Sequence, residues 1–292
     1  MEGLENFLKV HIEMGETPIW VEEENQLFWV DAVEGHIYKN INSETSWKKY
    51  TPEFQARALT RRKDGGWVIV TNGQGIAFWD EKTNACKPIT NPYDGDEDMD
   101  LNDGTVDRQG RFLVNSYRKS DFEAADGSIY RLDVDLTLHK IDSGLKVPNG
   151  MAFSPDGKKL YVAEMFNNAI LEYDYDIGSG EAENRRIFAK IPSEKGLPDG
   201  LTVDSEGFIW TAHWGGWRVS RFDPAGKVDR EIEVPSEIVT CIGFGGKEMS
   251  DLFITTAWTS LSEDQLNEQK QAGDLFKIKT NIRGIPEVKF KG

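Results

Sequence analysis

Apolar and polar residues alternate with a period of two over many short stretches of this 292-residue chain. A period of two places alternate side chains on opposite faces of a strand, and a helix with one buried face cannot satisfy it. Most of these stretches start at a small or polar residue, and most close on Asp. The pattern predicts strands in hairpins, most clearly at residues 75–80, 128–133, 169–174, 219–223 and 274–278.

A second pattern recurs along the chain, a polar turn that ends in glycine and leads into an aromatic-rich apolar run. Clear copies lie at residues 64–70, 107–114, 154–162 and 204–210, and weaker copies surround 27–30 and 252–254. About six copies recur at a spacing of roughly 40 to 50 residues. With almost no helical pattern between them, they predict an all-β, six-bladed β-propeller with four-stranded antiparallel blades, since radial closure leaves little sheet edge exposed.

One segment, residues 261–268, has a helical pattern, and Ser262 can cap the start of a short helix inserted in the last blade. We find no linker or low-complexity stretch that would mark a domain boundary. All-β chains of this length routinely form one domain. We therefore expect residues 1–292 to form a single β-propeller domain.

Charge excludes two classes of partner. A net charge of −16 and a pI near 4.8 disfavour binding to nucleic acid and to anionic membranes. The acidic N-terminus does not resemble a signal peptide, and no stretch is long enough to span a bilayer, so we expect a cytoplasmic protein that is a monomer or weak homodimer. Cys86 and Cys241 have no metal-ligand spacing and are expected to be unpaired thiols, although the sequence leaves a bridge between them open.

Four segments place carboxylates or amides just before the repeated turn. Innermost propeller strands line a channel, so residues at equivalent places in different blades converge there. Asn-Gly and Asp-Gly are also the strongest tight-turn signals, which leaves a hairpin turn as the alternative. A Glu, an Asn and an Asp form an oxygen set suited to a divalent cation. The segments are Gly15-Glu16-Thr17-Pro18-Ile19-Trp20, Leu101-Asn102-Asp103-Gly104, Val147-Pro148-Asn149-Gly150 and Leu197-Pro198-Asp199-Gly200.

These motifs, in this order over nearly the whole chain, resemble the senescence-marker, gluconolactonase and regucalcin family of six-bladed propellers, and most of all the bacterial sugar-acid lactonases. Further matching motifs lie at residues 153–157, 204–207, 244–246 and 272–276. The resemblance implies that Glu16, Asn149 and Asp199 bind one divalent metal ion and that Asn102 faces the substrate. The ion could be calcium, zinc, manganese, magnesium or iron.

By the same resemblance the protein is expected to hydrolyse a sugar-acid lactone, its small-molecule partner. The metal would act as a Lewis acid on the lactone carbonyl, and Asp199 could be the general base. The sequence leaves open whether Asp199 is a base, a ligand only or a transient nucleophile. Three alternatives share the fold: a phosphotriester or organofluorophosphate hydrolase, a calcium-binding regulatory propeller, and a scaffold that binds partners through its rim.

The chain departs from the family in the expected substrate pocket. Asp100 stands where relatives commonly have Arg, and Arg118 and Lys119 stand near an acidic position of relatives. The exchange of signs suggests a pair such as Asp100 with Lys119, and solvent-facing side chains are the alternative. Trp214 is a candidate for an apolar pocket wall.

Other candidates favour structural roles. Trp20 could share that wall with Trp214 or belong to the core. His213 is expected to be a packed strand histidine rather than a channel acid or base. The acidic run 94–100 lacks the Gly and Glu of an EF-hand loop and is expected to be a solvated loop.

Overall fold

The protein is a six-bladed β-propeller, as the repeats predicted. The computed structural model describes residues 3–41 and 46–292, in which six four-stranded antiparallel sheets form the blades. Blade 1 contains β2 (Gly15–Val21), β3 (Gln26–Asp31), β4 (His36–Asn40) and β5 (Trp47–Tyr50). Blade 2 contains β6 (Ala56–Arg61), β7 (Trp67–Thr71), β8 (Gly75–Trp79) and β9 (Cys86–Thr90). Blade 3 contains β10 (Met99–Val106), β11 (Phe112–Arg118), β12 (Gly127–Leu132) and β13 (Leu138–Leu145).

The remaining blades repeat this order, and the last one uses both ends of the chain. Blade 4 contains β14 (Pro148–Phe153), β15 (Lys159–Glu164), β16 (Ala169–Tyr175) and β17 (Ala182–Lys190). Blade 5 contains β18 (Leu197–Val203), β19 (Ile209–Trp214), β20 (Arg218–Phe222) and β21 (Val228–Glu233). Blade 6 contains β22 (Ile238–Gly245), β23 (Asp251–Ala257), β24 (Leu275–Lys279) and, paired with β24, the N-terminal strand β1 (Leu4–Leu8).

The hydrophobic core lies between neighbouring blades. Phe28 of blade 1, for example, packs on Trp67 of blade 2 with ring centroids 4.4 Å apart. Similar clusters occupy each of the other interfaces around the ring. The aromatic-rich runs seen in the sequence are therefore the second strands of the blades, buried on both faces between two sheets.

The polar turns that precede these runs connect the first and second strands. In blade 3 the Asp107 carboxylate accepts hydrogen bonds from the backbone N–H groups of Gln109 and Arg111 at 2.8 and 2.9 Å. In blade 5 the Asp204 carboxylate accepts from Trp210 Nε1 at 2.8 Å and from Arg221 Nε at 2.9 Å. A buried aspartate thus ties each of these two turns to its own sheet.

The minor elements agree with the sequence. Helix α1 (Glu263–Glu268) follows β23 and starts at a capping box formed by Ser262 and Gln265. Cys86 and Cys241 are free thiols, as expected. Within the part of the chain that the structure describes, no helix is both long and apolar enough to cross a membrane.

Candidate functional site

The same irregularity interrupts the innermost strand of all six blades. In β10, for example, Leu101 pairs with Ser116 and Gly104 pairs with Val114, so the inner strand has one residue more than its partner. Such a bulge bends the strand and redirects side chains. The bulges fall at Thr17-Pro18 in β2, Arg57 in β6, Asn102-Asp103 in β10, Asn149-Gly150 in β14, Asp199-Gly200 in β18 and Thr240-Cys241 in β22.

The Asn-Gly and Asp-Gly pairs are therefore not hairpin turns. The glycines allow neighbouring inner strands to approach closely. A Cβ on Gly150 would lie 2.7 Å from Asp199 O, and a Cβ on Gly200 would lie 2.5 Å from Cys241 Cα. The turn alternative is wrong at these two positions, because the backbone contact, rather than the chain direction, requires glycine there.

The bulged inner strands border a cavity of about 360 Å³. Its size suits a small organic molecule. The bulges supply its polar side, and residues from loops and second strands supply its apolar side. It is lined by Met14, Glu16, Thr17, Ala32, Arg57, Ala58, Asn102, Asp103, Tyr117, Phe122, Val147, Asn149, Met165, Phe166, Leu197, Asp199, Trp214, Thr259 and Ser260.

Three carboxyl groups lie together in the cavity, and all three have raised pKa values. Burial and the charge of Asp103 raise the pKa of Glu16 to about 8. Burial raises the pKa of Asp103 to about 6. Burial, Glu16 and Asp103 raise the pKa of Asp199 well above its ordinary value. Three acidic groups so close together in a desolvated channel resist ionising at the same time.

Amide side chains hold these groups in position. Asn115 on β11 accepts from Asp103 N at 3.2 Å and donates to Asn149 O at 2.6 Å, so it joins the inner strands of blades 3 and 4. Asn102 donates across the same gap to Pro148 O at 3.3 Å. The side-chain nitrogen of Asn149 donates to Met165 Sδ at 3.2 Å, so the side-chain oxygen is not used in that contact.

The predicted ligands fit a divalent cation. Asp199 is 1% exposed, and among the described residues its Oδ1 has no hydrogen-bond partner, which is costly for a buried carboxylate unless a cation binds there. Glu16 and Asn149 line the same cavity. Among the described residues, no three His, Cys, Asp or Glu side chains are arranged to hold a metal by themselves. A site here therefore needs the amide oxygen of Asn149 as well as carboxylates, a donor set that hard cations accept.

Backbone strain is also concentrated at this place. Thr17 has a φ of 48°, a left-handed conformation that is rare for a β-branched residue, and its buried Oγ1 has no hydrogen-bond partner. Such strain persists only where the surrounding structure enforces it, and it clusters at functional sites. The strained residue directly follows Glu16 and lines the same cavity.

The ion pair of Asp100 differs from the sequence-based example. Asp100 is 2% exposed and its Oδ2 lies 3.5 Å from Arg57 of blade 2, so its partner is Arg57 rather than Lys119. Arg118 instead binds Asp98 at 2.7 Å and Asp126 at 2.6 Å on the surface. The expected pair was wrong because Asp100 is buried beside Arg57 of the neighbouring blade, whereas Lys119, just after the end of β11, is exposed.

Of the aromatic and histidine candidates, one lines the cavity and the others have structural roles. Trp214 lines the cavity, whereas Trp20 stacks on Phe253 in the core, with ring centroids 5.7 Å apart. His213 is buried, and its Nδ1 lies 3.0 Å from Lys195 O. Burial lowers the pKa of His213 to about 4, so it is a neutral packed side chain, as expected. In the acidic run, residues 94–97 are exposed, as expected of a solvated loop, and Asp100 is buried.

Sequence reasoning missed two charged groups of the cavity. Asp103 lies inside a motif that was recognised, but no role was assigned to it. Arg57 belongs to no motif, and only the register of β6 against β7 shows that it occupies the bulge of blade 2. The signal that identifies Arg57 is its place as the unpaired residue of an inner strand, and this place is known only once the strand pairing is known.

The comparisons with known proteins agree over almost the whole chain. The family model described as the SMP-30/gluconolactonase/LRE-like region matches residues 14–258. YvrE of Bacillus subtilis, provisionally named a sugar lactone lactonase, is 32% identical over 286 residues, which is 96% of this chain and 95% of that protein. The pentonolactonase XacC of Haloferax volcanii is 31% identical over 290 residues, which is 94% of this chain and 93% of that protein.

A solved structure supports the fold. The regucalcin of Agrobacterium tumefaciens, described as a calcium-binding protein, superposes with a TM-score of 0.92 at 24% identity, over 99% of this chain and 97% of that one.

Proposed function

Because the chain belongs to the SMP-30/gluconolactonase/LRE-like family, we propose that it is a divalent-metal-dependent hydrolase that opens the ring ester of a small sugar-acid lactone. The observation that carries the proposal is the group of three carboxyl groups with raised pKa values, those of Glu16, Asp103 and Asp199, which line a ligand-sized cavity together with the amide of Asn149. Perturbed acids in a cleft are typical of catalytic sites. The names of two relatives, a sugar lactone lactonase and a pentonolactonase, support the same reaction.

Glu16, Asn149 and Asp199 would hold the cation. When bound, a divalent ion supplies a Lewis acid for the lactone carbonyl and a positive charge that keeps the nearby carboxyl groups ionised. The carboxyl group of Asp199 has one oxygen, Oδ1, without a protein partner. That oxygen would bind the ion, and the second oxygen of the same carboxylate would be the base that accepts a proton as water adds to the carbonyl carbon.

Ring opening then returns this proton. The bond between the carbonyl carbon and the ring oxygen breaks, and the leaving oxygen takes the proton from Asp199 to become the hydroxyl group of the open acid. Asn102, on the bulge of β10, faces the substrate and orients it. Phe122, Phe166 and Trp214 exclude bulk water from the other side of the cavity.

The test is hydrolysis of five- and six-membered aldonolactones at constant pH, followed by proton release. Metal-stripped protein is compared with protein resupplied with each divalent ion, after spontaneous hydrolysis is subtracted. We expect metal-dependent turnover and a loss of at least about 100-fold in kcat for Asp199→Asn, since a general base contributes about that much or more. Asp94→Asn in the exposed loop is the matched control and should keep full activity.

The alternatives appear as distinct outcomes of the same test. Hydrolysis of phosphotriesters but not of lactones would replace the lactonase proposal with the phosphotriesterase one. Tight calcium binding with no rate gain on any ester would support a calcium-binding regulatory role instead.

A further inference from the structure

Arg57 contributes the positive charge of the cavity. Among the cavity-lining residues that the structure describes, no other is Lys, Arg or His. The bulge of blade 2 directs Arg57 to the channel, just as the bulges of blades 3, 4 and 5 direct Asn102, Asn149 and Asp199. Arg57 is therefore the blade 2 member of the ring of site residues.

Two residues of blade 3 hold the guanidinium in place. Arg57 donates from a terminal nitrogen to Tyr117 Oη at 2.9 Å, and its charge lies 5.7 Å from the centroid of that ring. Asp100 Oδ2 lies 3.5 Å from the other terminal nitrogen. Asp100 is itself fixed, because its Oδ1 accepts from Leu101 N at 3.0 Å and from Gly73 N at 3.2 Å.

In this arrangement the guanidinium has N–H donors left for a ligand, but Asp100 neutralises its charge. Asp100 balances the charge of Arg57, so the pair is electrically neutral toward a ligand. One of the five N–H donors of the guanidinium bonds Tyr117 Oη, and Nε is buried without a hydrogen-bond partner among the described residues, so the donors left for a ligand are those of the two terminal nitrogens. A neutral oxygen-bearing group can use these donors, whereas a carboxylate would gain little attraction from a compensated charge.

The apolar wall of the cavity starts at Tyr117, beside Arg57. Tyr117, Phe122 and Phe166 form a chain of ring contacts, with centroids 5.9 and 5.3 Å apart, and Met165 and Trp214 continue this surface. A ring with hydroxyl groups at one edge and C–H groups on its face matches both walls at once.

We propose that Arg57 is a specificity-determining residue that selects a neutral, hydroxylated lactone by donating hydrogen bonds to its ring substituents, with Asp100 as the positioning residue behind it. The inference rests on the proposed function, whose substrate class it narrows. The sequence analysis expected Asp100 itself in the substrate pocket. In this inference Asp100 does not contact the ligand and acts by positioning Arg57.

The first experiment separates binding from chemistry. For Arg57→Gln we expect KM for a hydroxylated lactone to rise about tenfold or more, as for loss of one hydrogen bond to a charged group, with kcat changed much less. For the corresponding deoxy lactone, KM should stay within about twofold, because that bond is absent already. Arg283→Gln is the matched control, since this exposed arginine pairs with Glu248 at 3.6 Å and does not line the cavity.

The second experiment needs no turnover. Calorimetry compares binding of a hydroxylated lactam, its deoxy analogue and a carboxylated analogue, since lactams of the same ring size resist hydrolysis. Wild-type protein should prefer the hydroxylated neutral lactam, and Arg57→Gln should remove that preference. Asp100→Asn, which exposes the charge of Arg57, should shift relative affinity toward the carboxylated lactam by about tenfold.

Each outcome has one meaning. If Arg57→Gln weakens the hydroxylated and deoxy ligands equally, or weakens neither, the inference is wrong, whether or not the protein is a lactonase. If wild-type protein shows the lactam preference but hydrolyses no lactone, the proposed function fails and the inference stands. Circular dichroism of each variant identifies a misfolded protein, and Arg57→Lys then provides a milder test, since it keeps the charge and loses the planar fork.

Discussion

At the level of single residues, the carboxyl groups of the channel repel one another when they are ionised. Glu16 and Asp199 line the cavity beside Asp103, and their raised pKa values mean that the folded protein without metal retains protons that an unfolded chain releases. The cost of this arrangement depends on pH, and a bound cation relieves it.

We therefore predict that the metal-free protein loses stability as the pH rises. The ordinary pKa of Glu is 4.5, and that of Glu16 in the fold is about 8. Between these values the unfolded state binds fewer protons than the folded state, so the free energy of unfolding falls with rising pH. Thermal melts of chelated protein at pH 5 and pH 8 should show a Tm lower by at least about 3 °C at the higher pH.

Two controls identify the cause of that change. Glu16→Gln should reduce the difference, because the amide does not titrate. Calcium or manganese should raise Tm more at pH 8 than at pH 5, since a cation binds the ionised carboxyl groups. A Tm of the chelated protein that rises over this range would contradict the assignment of these groups as the dominant buried acids.

At the level of secondary structure elements, the bulged inner strands create the site. Six inner strands approach the same axis, and in blades 1 to 5 the bulge turns a side chain into the cavity. The close packing of β14 against β18 requires Gly150, because a side chain there would meet Asp199 O and Leu201 N.

Gly150→Ala should therefore destabilise the protein by about 1–3 kcal/mol, the range for overpacked positions, and reduce lactone hydrolysis by moving Asn149. Gly178→Ala is the matched control. Gly178 is exposed, and a Cβ there would approach only Asp176 Oδ1, at 3.2 Å, so we expect a change within about 0.5 kcal/mol. Chemical denaturation measures both, and equal effects would show that the strand contact is not tight.

At the level of the whole molecule, the ring is closed by strands from the two ends of the chain. β1 pairs with β24, and Leu8 is 1% exposed in a cluster that joins blades 6 and 1. Without β1, the backbone edge of β24 would be open to solvent and to other chains.

Leu8→Ala should lower the free energy of unfolding by about 2–5 kcal/mol, as for other buried leucines. Leu266→Ala on the peripheral helix α1 should have a smaller effect, since Leu266 is only half-buried. Calorimetry compares the two, with each kcal/mol corresponding to about 2–4 °C in Tm. A Tm that Leu8→Ala leaves unchanged would mean that β1 does not contribute to closure.

The sequence by itself determined the propeller, its six blades and the short helix capped by Ser262. Repeats, strand periodicity and capping are local signals that neighbouring residues specify together. Its motifs, and the family resemblance that they carry, also predicted Glu16, Asn149 and Asp199 as metal ligands.

Only the tertiary structure decided which charges meet. The pairing of Arg57 with Asp100, the role of β1 in blade 6 and the clustering of Asp103 with Glu16 and Asp199 all join residues far apart in sequence. Local patterns do not encode them, since one extra residue in a strand reverses the direction of a side chain. The register of six strands around one axis therefore selects the residues that line the cavity.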